Sequence, residues 1–365
     1  MKKILVFACI TVLTTLCAYS QKEINKGRFS GYMFGDYYYN AARDTGITSM
    51  SNVANGGAKD LNGFQLRRIY FTYDYNISDV FSTRFRLEAD QSANTSNGKI
   101  GVYVKDAYLQ WNNIFEGSNL IFGIQPTPTF EVSEGIWGNR FLEKTIMDLR
   151  GIAPSRDISI ALKGNIDEQG IFKYWLMYGN GSGNMPETDK YKRYYVNLQI
   201  NPIKQLTATI YADLKARPDI KDPTNISNPQ STIANNDLIY AFFIGYKEKD
   251  AYSLGIEGFM NTRQNGMIIG TEVKDKEGIG ISAFVSYNLL KGLELVGRYD
   301  YYDPNTDSDF KGDSRNWFLL SLNYKPDEKV TISPNFIIET YESLPNGRSF
   351  DASVTPRITL FYIFL

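Results

Sequence analysis

Sixteen segments of this chain alternate apolar with polar residues, and the connections between them alternate in length from one end to the other. The clearest segment is 81–90, where Phe81, Thr83, Phe85, Leu87 and Ala89 interleave with Ser82, Arg84, Arg86, Glu88 and Asp90. Successive side chains on a strand point to opposite faces, so this stretch has one apolar and one charged face. Comparable stretches lie at 29–40, 63–75, 102–111, 120–125, 158–164, 172–179, 193–200, 206–215, 238–246, 252–261, 279–288, 293–302, 316–324, 330–339 and 354–365. Most approach the roughly 9 to 11 residues that a tilted strand needs to cross a hydrocarbon layer, against about 5 to 6 for a typical soluble strand.

The connections discriminate better than the strands. Short polar turns are expected at 76–79, 112–118, 165–170, 201–204, 247–251, 289–292 and 325–329, after every even-numbered segment. Long stretches rich in Gly, Asn, Asp and Ser follow the odd-numbered ones, at 41–62, 91–101, 126–157, 180–192, 216–237, 262–278, 303–315 and 340–353. A soluble sandwich has no reason to sort its loops by length. An outer-membrane barrel does: its short turns gather at the periplasmic end and its long loops outside. The pattern predicts an all-β fold, a transmembrane antiparallel β-barrel of about sixteen strands in contact with outer-membrane lipid.

The N-terminus fits export. Lys2 and Lys3 precede an apolar run over 4–16 and then Ala18-Tyr19-Ser20, the arrangement of a signal peptide over 1–20 cleaved near Ser20, leaving 21–365 as the barrel. The run is too short to span a bilayer as a helix. Cys9 and Cys17 both fall in this leader, so disulfides are not expected to stabilise the barrel. The chain has no histidine, which removes the commonest general base, the commonest metal ligand and every Ser-His or Cys-His nucleophile pair. An enzyme is therefore not expected, nor any cofactor or metal. Losing Lys2 and Lys3 takes the formal charge from −1 to −3, with no basic footprint for nucleic acid. Aromatic residues make up 14 %, with 26 Tyr against 4 Trp, as girdles at two membrane interfaces would require. Tyr37-Tyr38-Tyr39 and the tyrosines of 299–302 fit such girdles, with sugar-stacking surfaces as the alternative. The closing run Arg357 to Leu365 is apolar and aromatic and looks like the terminal strand that outer-membrane assembly machinery recognises, although most such barrels end in Phe.

The connection over 126–157 is far longer than a structural loop needs. Phe130, Trp137, Phe141, Ile146 and Leu149 give it apolar residues for docking, and Glu131, Glu134, Arg140, Glu143, Lys144, Asp148, Arg150 and Arg156 give it charges to display. It is expected to fold into the lumen against the wall and narrow it; the alternative is packing over the rim or against a neighbouring subunit.

Asp106-Ala107-Tyr108, Gly123-Ile124-Gln125-Pro126-Thr127-Pro128, Glu134, the run Trp137 to Lys144, Asp148, Ser155-Arg156-Asp157, and Arg67-Arg68 after Gly63-Phe64 together resemble the phosphate-selective porin family, the porin O/P family. The resemblance covers roughly a third of the chain and implies a sixteen-stranded homotrimeric channel with a constricting third loop. The dense basic ladder of its phosphate-selective members is missing. The inferred lumen is mixed, with Arg68, Arg84, Arg86, Arg298 and Arg357 against Asp74, Glu88, Asp90, Asp106, Asp213, Glu257 and Asp300. Rows of one sign select ions by sign, so a mixed wall predicts weak selectivity or selectivity set by the third loop.

The expected function is passive diffusion of small hydrophilic solutes or ions. The constriction is expected to comprise Arg68, Arg84, Arg86, Glu88, Asp106, Glu131, Glu134, Arg140, Glu143, Lys144 and Arg156. Arg84 and Arg86 are expected to face Glu131 and Glu134 across the pore, or to form an ion-pair network that fixes the loop. Strict alternation puts Arg68 inside and Arg67 outside, snorkelling at the rim. Asp106 is expected in the lumen, binding solute or anchoring the loop. Two alternatives remain: a saturable channel for phosphate, another anion or a sugar, and a blocked barrel serving as adhesin or scaffold.

Overall fold

The computed structural model describes residues 27–47, 57–225, 227–228, 230–270 and 272–365; the leader expected at 1–20 lies outside these. Among the described residues, sixteen antiparallel strands close into one barrel. They are β1 (Arg28–Tyr39), β2 (Asn62–Asn76), β3 (Phe81–Asn94), β4 (Ile100–Phe115), β5 (Ser118–Pro126), β6 (Arg156–Asn165), β7 (Phe172–Gly179), β8 (Arg193–Ile203) and β9 (Leu206–Lys215). After a separate two-stranded hairpin, β10 (Ile220–Lys221) with β11 (Thr232–Ile233), the wall resumes with β12 (Asp237–Glu248), β13 (Tyr252–Ile269), β14 (Glu272–Leu290) and β15 (Leu293–Asp303). It ends with β16 (Arg315–Asp327), β17 (Val330–Tyr341) and β18 (Ser353–Ile363). Each wall strand pairs with the next, and β18 returns to β1 with Phe34 opposite Phe361 and Asp36 opposite Thr359, so the ring has no open edge. Closure of this kind satisfies every strand hydrogen bond where no water is available.

The two faces have the chemistry of a membrane barrel. On β16, Trp317, Leu319, Ser321 and Asn323 are buried inside, while Phe318, Leu320, Leu322 and Tyr324 are exposed outside, Leu320 at 42 % against 2 % for Ser321. The same alternation puts Leu254 and Ile256 of β13 outside and Ser253 and Glu257 inside. Exposed apolar residues over the whole outer wall would be a liability in water and are what acyl chains require.

All the expected strands are present, but one expected loop is not. Residues 262–269 and 272–278 belong to β13 and β14, which continue as a two-stranded ribbon beyond the last pairing of β12 (Asp237 with Arg263) and of β15 (Asp303 with Ile279). There Arg263, Gln264, Asn265, Lys274, Asp275, Lys276 and Glu277 interrupt the apolar alternation, so the sequence reads as a loop.

Two bulges change which residues face inward. In β2, Phe34 pairs with Arg68 and Gly35 with Leu66, leaving Arg67 unopposed; in β4, Arg86 pairs with Asp106 and Leu87 with Val104, leaving Lys105 unopposed. An extra residue on one strand breaks the alternation locally and re-aims a side chain.

Candidate functional site

The connection from β5 to β6 leaves the wall at Pro126 and carries two short helices, α1 (Glu131–Trp137) and α2 (Ile146–Leu149). It leaves through a special backbone. Gly123 sits at φ +129°, where a side chain would collide with the Ala107 carbonyl across the β4–β5 ladder. Gly138 closes α1 in the left-handed region at φ 67° and donates its amide to the Glu134 carbonyl, a position that favours glycine.

Every anchor of this loop is an inward-facing wall residue. Thr129 Oγ1 lies 2.8 Å from the Tyr211 hydroxyl of β9, and Asn197 of β8 donates to the Pro128 carbonyl at 3.0 Å. Ser133 reaches Glu257 of β13 at 3.2 Å; Asn139 donates to Ser286 of β14 and accepts from Asn323 of β16, both at 2.9 Å. Arginines from three strands converge on the carbonyls of the loop's middle. Arg67 (β2) donates to Phe141 and Leu142, Arg357 (β18) to Leu142 and Arg298 (β15) to Lys144. Arg150 then pairs with Glu339 of β17 at 3.0 Å.

Apolar contacts reinforce these bonds. Trp137, Phe141 and Leu142 pack with Phe34, Phe243, Phe284, Val296, Trp317, Leu319 and Ile337 of the wall. The Trp137 ring meets Phe284 edge-on at 5.0 Å, and its indole N–H donates to the Glu143 carbonyl. Phe130, Ile146 and Met147 pack with Met177, Tyr195, Tyr211, Ile239 and Phe259. The inner wall from β6 round to β1 is thus a docking surface, and the sector β2–β4 carries most of the remaining charge.

The structure brings the expected charged residues into two sets. On the wall, Arg84 binds Asp74 at 2.7 Å, Arg68 binds Glu88 at 2.6 Å and also Asp90, and Lys105 reaches the other Glu88 oxygen at 3.0 Å. Asp106, fully buried, binds Arg86 at 3.4 Å and Arg156, the first residue of β6. On the loop, Arg140 bridges Glu134 and Asp148, both at 3.4 Å, and Lys144 reaches Asp148 at 3.6 Å. Glu143 belongs to the wall anchor, 3.9 Å from Arg67 and 3.7 Å from Arg357.

Burial works to raise the Glu143 carboxyl, but Arg67 and Arg357 overcome it and hold it down at about 2. Asp148 is likewise kept low despite burial, by Arg140 and Lys144. Burial prevails at Glu134, whose carboxyl is pushed up even with Arg140 beside it.

One sequence expectation is corrected, and two more residues find their partners. Arg67 is not at the outer rim: the bulge turns it inward, its Nε 2.8 Å from Asp36 and its other nitrogens on the loop. Arg84 bonds to Asp74, and Arg86 bonds to Asp106, which also holds Arg156 at the loop's end, in line with the ion-pair network expected as the alternative. Glu131 is exposed and, among the described residues, in no ion pair; it lines a cavity beneath α1. Lys105 was missed for the reason that misplaced Arg67. Apolar inward residues such as Val296 and Leu319 were missed because strict alternation assigns polar residues to a water-filled interior.

A closed sixteen-strand barrel, apolar outside and polar inside, with a long third connection tied to its inner face, defines the outer-membrane porin fold. The chain resembles the outer membrane channel DcaP of Acinetobacter baumannii with a TM-score of 0.67 at 11 % identity, covering 93 % of this chain and 97 % of that one. It resembles the anion-selective porin from Comamonas acidovorans (TM-score 0.62, 10 % identity, 93 % and 99 % covered). A third likeness is to the trimer form of the outer membrane protein OmpT of Vibrio cholerae (0.56, 12 %, 93 % and 99 %). At such identities the likeness is one of fold. No family model matches the chain, and no curated protein matches it.

Proposed function

We propose that this chain is an outer-membrane diffusion channel for small hydrophilic solutes and ions, narrowed by the loop 126–157 and working as a homotrimer. The observation that carries the reading is the pairing of a lipid-compatible exterior with a polar interior in a ring of sixteen strands, a size at which barrels enclose an aqueous channel. The trimer rests on the state named for the Vibrio cholerae protein. We read the channel as a general one, without preference for phosphate. The wall and loop arginines Arg67, Arg68, Arg84, Arg86, Arg140, Arg156, Arg298 and Arg357 each have a carboxylate within ion-pair distance, so none forms a free basic ladder.

Single-channel recording in a planar bilayer tests this, with reversal potentials measured across a salt gradient. Stepwise conductance with a cation-to-anion permeability ratio near one is expected. Folded protein that gives no steps would favour a blocked scaffold, and strong anion preference with phosphate block would restore the phosphate-selective reading.

A further inference from the structure

Against this background of paired charge, one lumenal cavity stands apart. It lies between the underside of α1 and the ends of β6–β9 nearest the short turns, with a volume of about 560 Å³, inside the range of about 300–1,000 Å³ usual for small-molecule sites. Lys163 on β6 and Lys173 on β7 line one side, and Glu131 lines the other from the helix. Among the described residues, neither lysine has a carboxylate within ion-pair distance and Glu131 has no basic group that close; the field of Glu131 reaches Arg156, which lies outside the cavity lining and is bonded to Asp106. The Lys163 ammonium lies instead 4.2 Å from the centre of the Trp175 ring, a favourable contact that uses the ring face and not a carboxylate.

The rest of the lining is amide-rich. Gln199 uses its N–H on Asn201 at 2.9 Å, which leaves its carbonyl oxygen for a ligand, and Asn119 and Asn165 stand at the turn end. The Trp175 indole N–H is buried without an acceptor.

Unpaired charges of both signs facing one small, amide-lined space suit a solute that itself carries both signs. A simple anion would satisfy the lysines and leave Glu131 opposing it, and a simple cation the reverse. We propose that this cavity is a binding subsite for zwitterionic solutes, free amino acids or short peptides. The carboxylate is held by Lys163 and Lys173, the ammonium by Glu131, and the intervening amide by Gln199. The proposal rests on the channel reading for its route of solute entry and names the solute class that the channel would favour.

The test uses the full barrel folded in detergent and in planar bilayers, with diglycine, propionate, ethylammonium and glucose as probes. Saturation-transfer NMR is expected to show diglycine bound at least about tenfold more tightly than any of the other three, a difference of about 1.4 kcal/mol. Diglycine should reduce the open-channel current saturably at the same concentrations. Glu131→Gln, and separately Lys163→Met with Lys173→Met, should each abolish that preference with the strand content by circular dichroism unchanged. Diglycine binding without conductance would uphold the subsite and sink the channel reading. Conductance with no diglycine binding, or with propionate binding equally well and Glu131→Gln without effect, would overturn the subsite and leave the channel standing.

Discussion

The anchoring of Glu143 between Arg67 and Arg357 makes the third loop's attachment a matter of protonation. A carboxyl held at about 2, below its ordinary 4.5, contributes docking stability that is fully present above pH 4.5 and drains away as pH falls towards 2. Channel conductance should therefore be steady from pH 7 to 5 and become larger or noisier only below that. Glu143→Gln should show the disturbed conductance already at pH 7, since removing one partner of a buried ion pair costs about 3–5 kcal/mol. Recordings of both forms across the pH range check this. The charged residues of this region were legible in the sequence, but their partners were not. A period of two assigns faces correctly until a strand carries an extra residue, and nothing in the Gly63 to Tyr75 stretch marks the bulge that turns Arg67 inward.

Among the elements, α1 seats the largest side chain of the loop, Trp137, which is buried among wall residues that include Phe284, Val296 and Trp317. Trp137→Ala should cost the docked loop about 3–5 kcal/mol and raise single-channel conductance while leaving the strand content by circular dichroism unchanged. The ribbon of β13 and β14 should behave in the opposite way. It pairs with neither neighbouring strand beyond Arg263 and Ile279. Replacing 264–276 by a short Gly-Ser turn removes the buried Met267 and the Lys274 pair with Asp307 but no wall pairing, so the barrel should still close with unchanged wall-strand content, measured by circular dichroism and urea unfolding in lipid vesicles. The loop's length and its apolar residues announced docking. The face that receives it was hidden, because Val296, Leu319 and Ile337 occupy positions that look polar-facing only if the interior is assumed to be wet throughout.

At the level of the whole molecule, the barrel's closure and its loop sorting were the most readable features, since both follow from alternation repeated many times and a local exception cannot disturb them. The outward face carries its own test. Leu320 lies on the exposed side of β16, and Leu320→Arg should destabilise the folded barrel by about 2–4 kcal/mol if that position sits near the bilayer midplane. Ser321→Thr, one residue along on the inner face, should not. Unfolding in vesicles of defined thickness distinguishes the two.

The internal pairing of the wall arginines also fixes how such a conduit would respond to dilution. A pore with a surplus of fixed charge gathers counterions of its own, so its conductance flattens as the bathing electrolyte is thinned. Here Asp74, Glu88, Asp90 and Asp106 already occupy the nearby arginines and Lys105, and little surplus is left to recruit mobile ions even where screening weakens and the Debye length reaches about 30 Å at 0.01 M. Current through this barrel should fall in step with bulk conductivity down to millimolar salt, making it an ohmic sampler of whatever solution it faces.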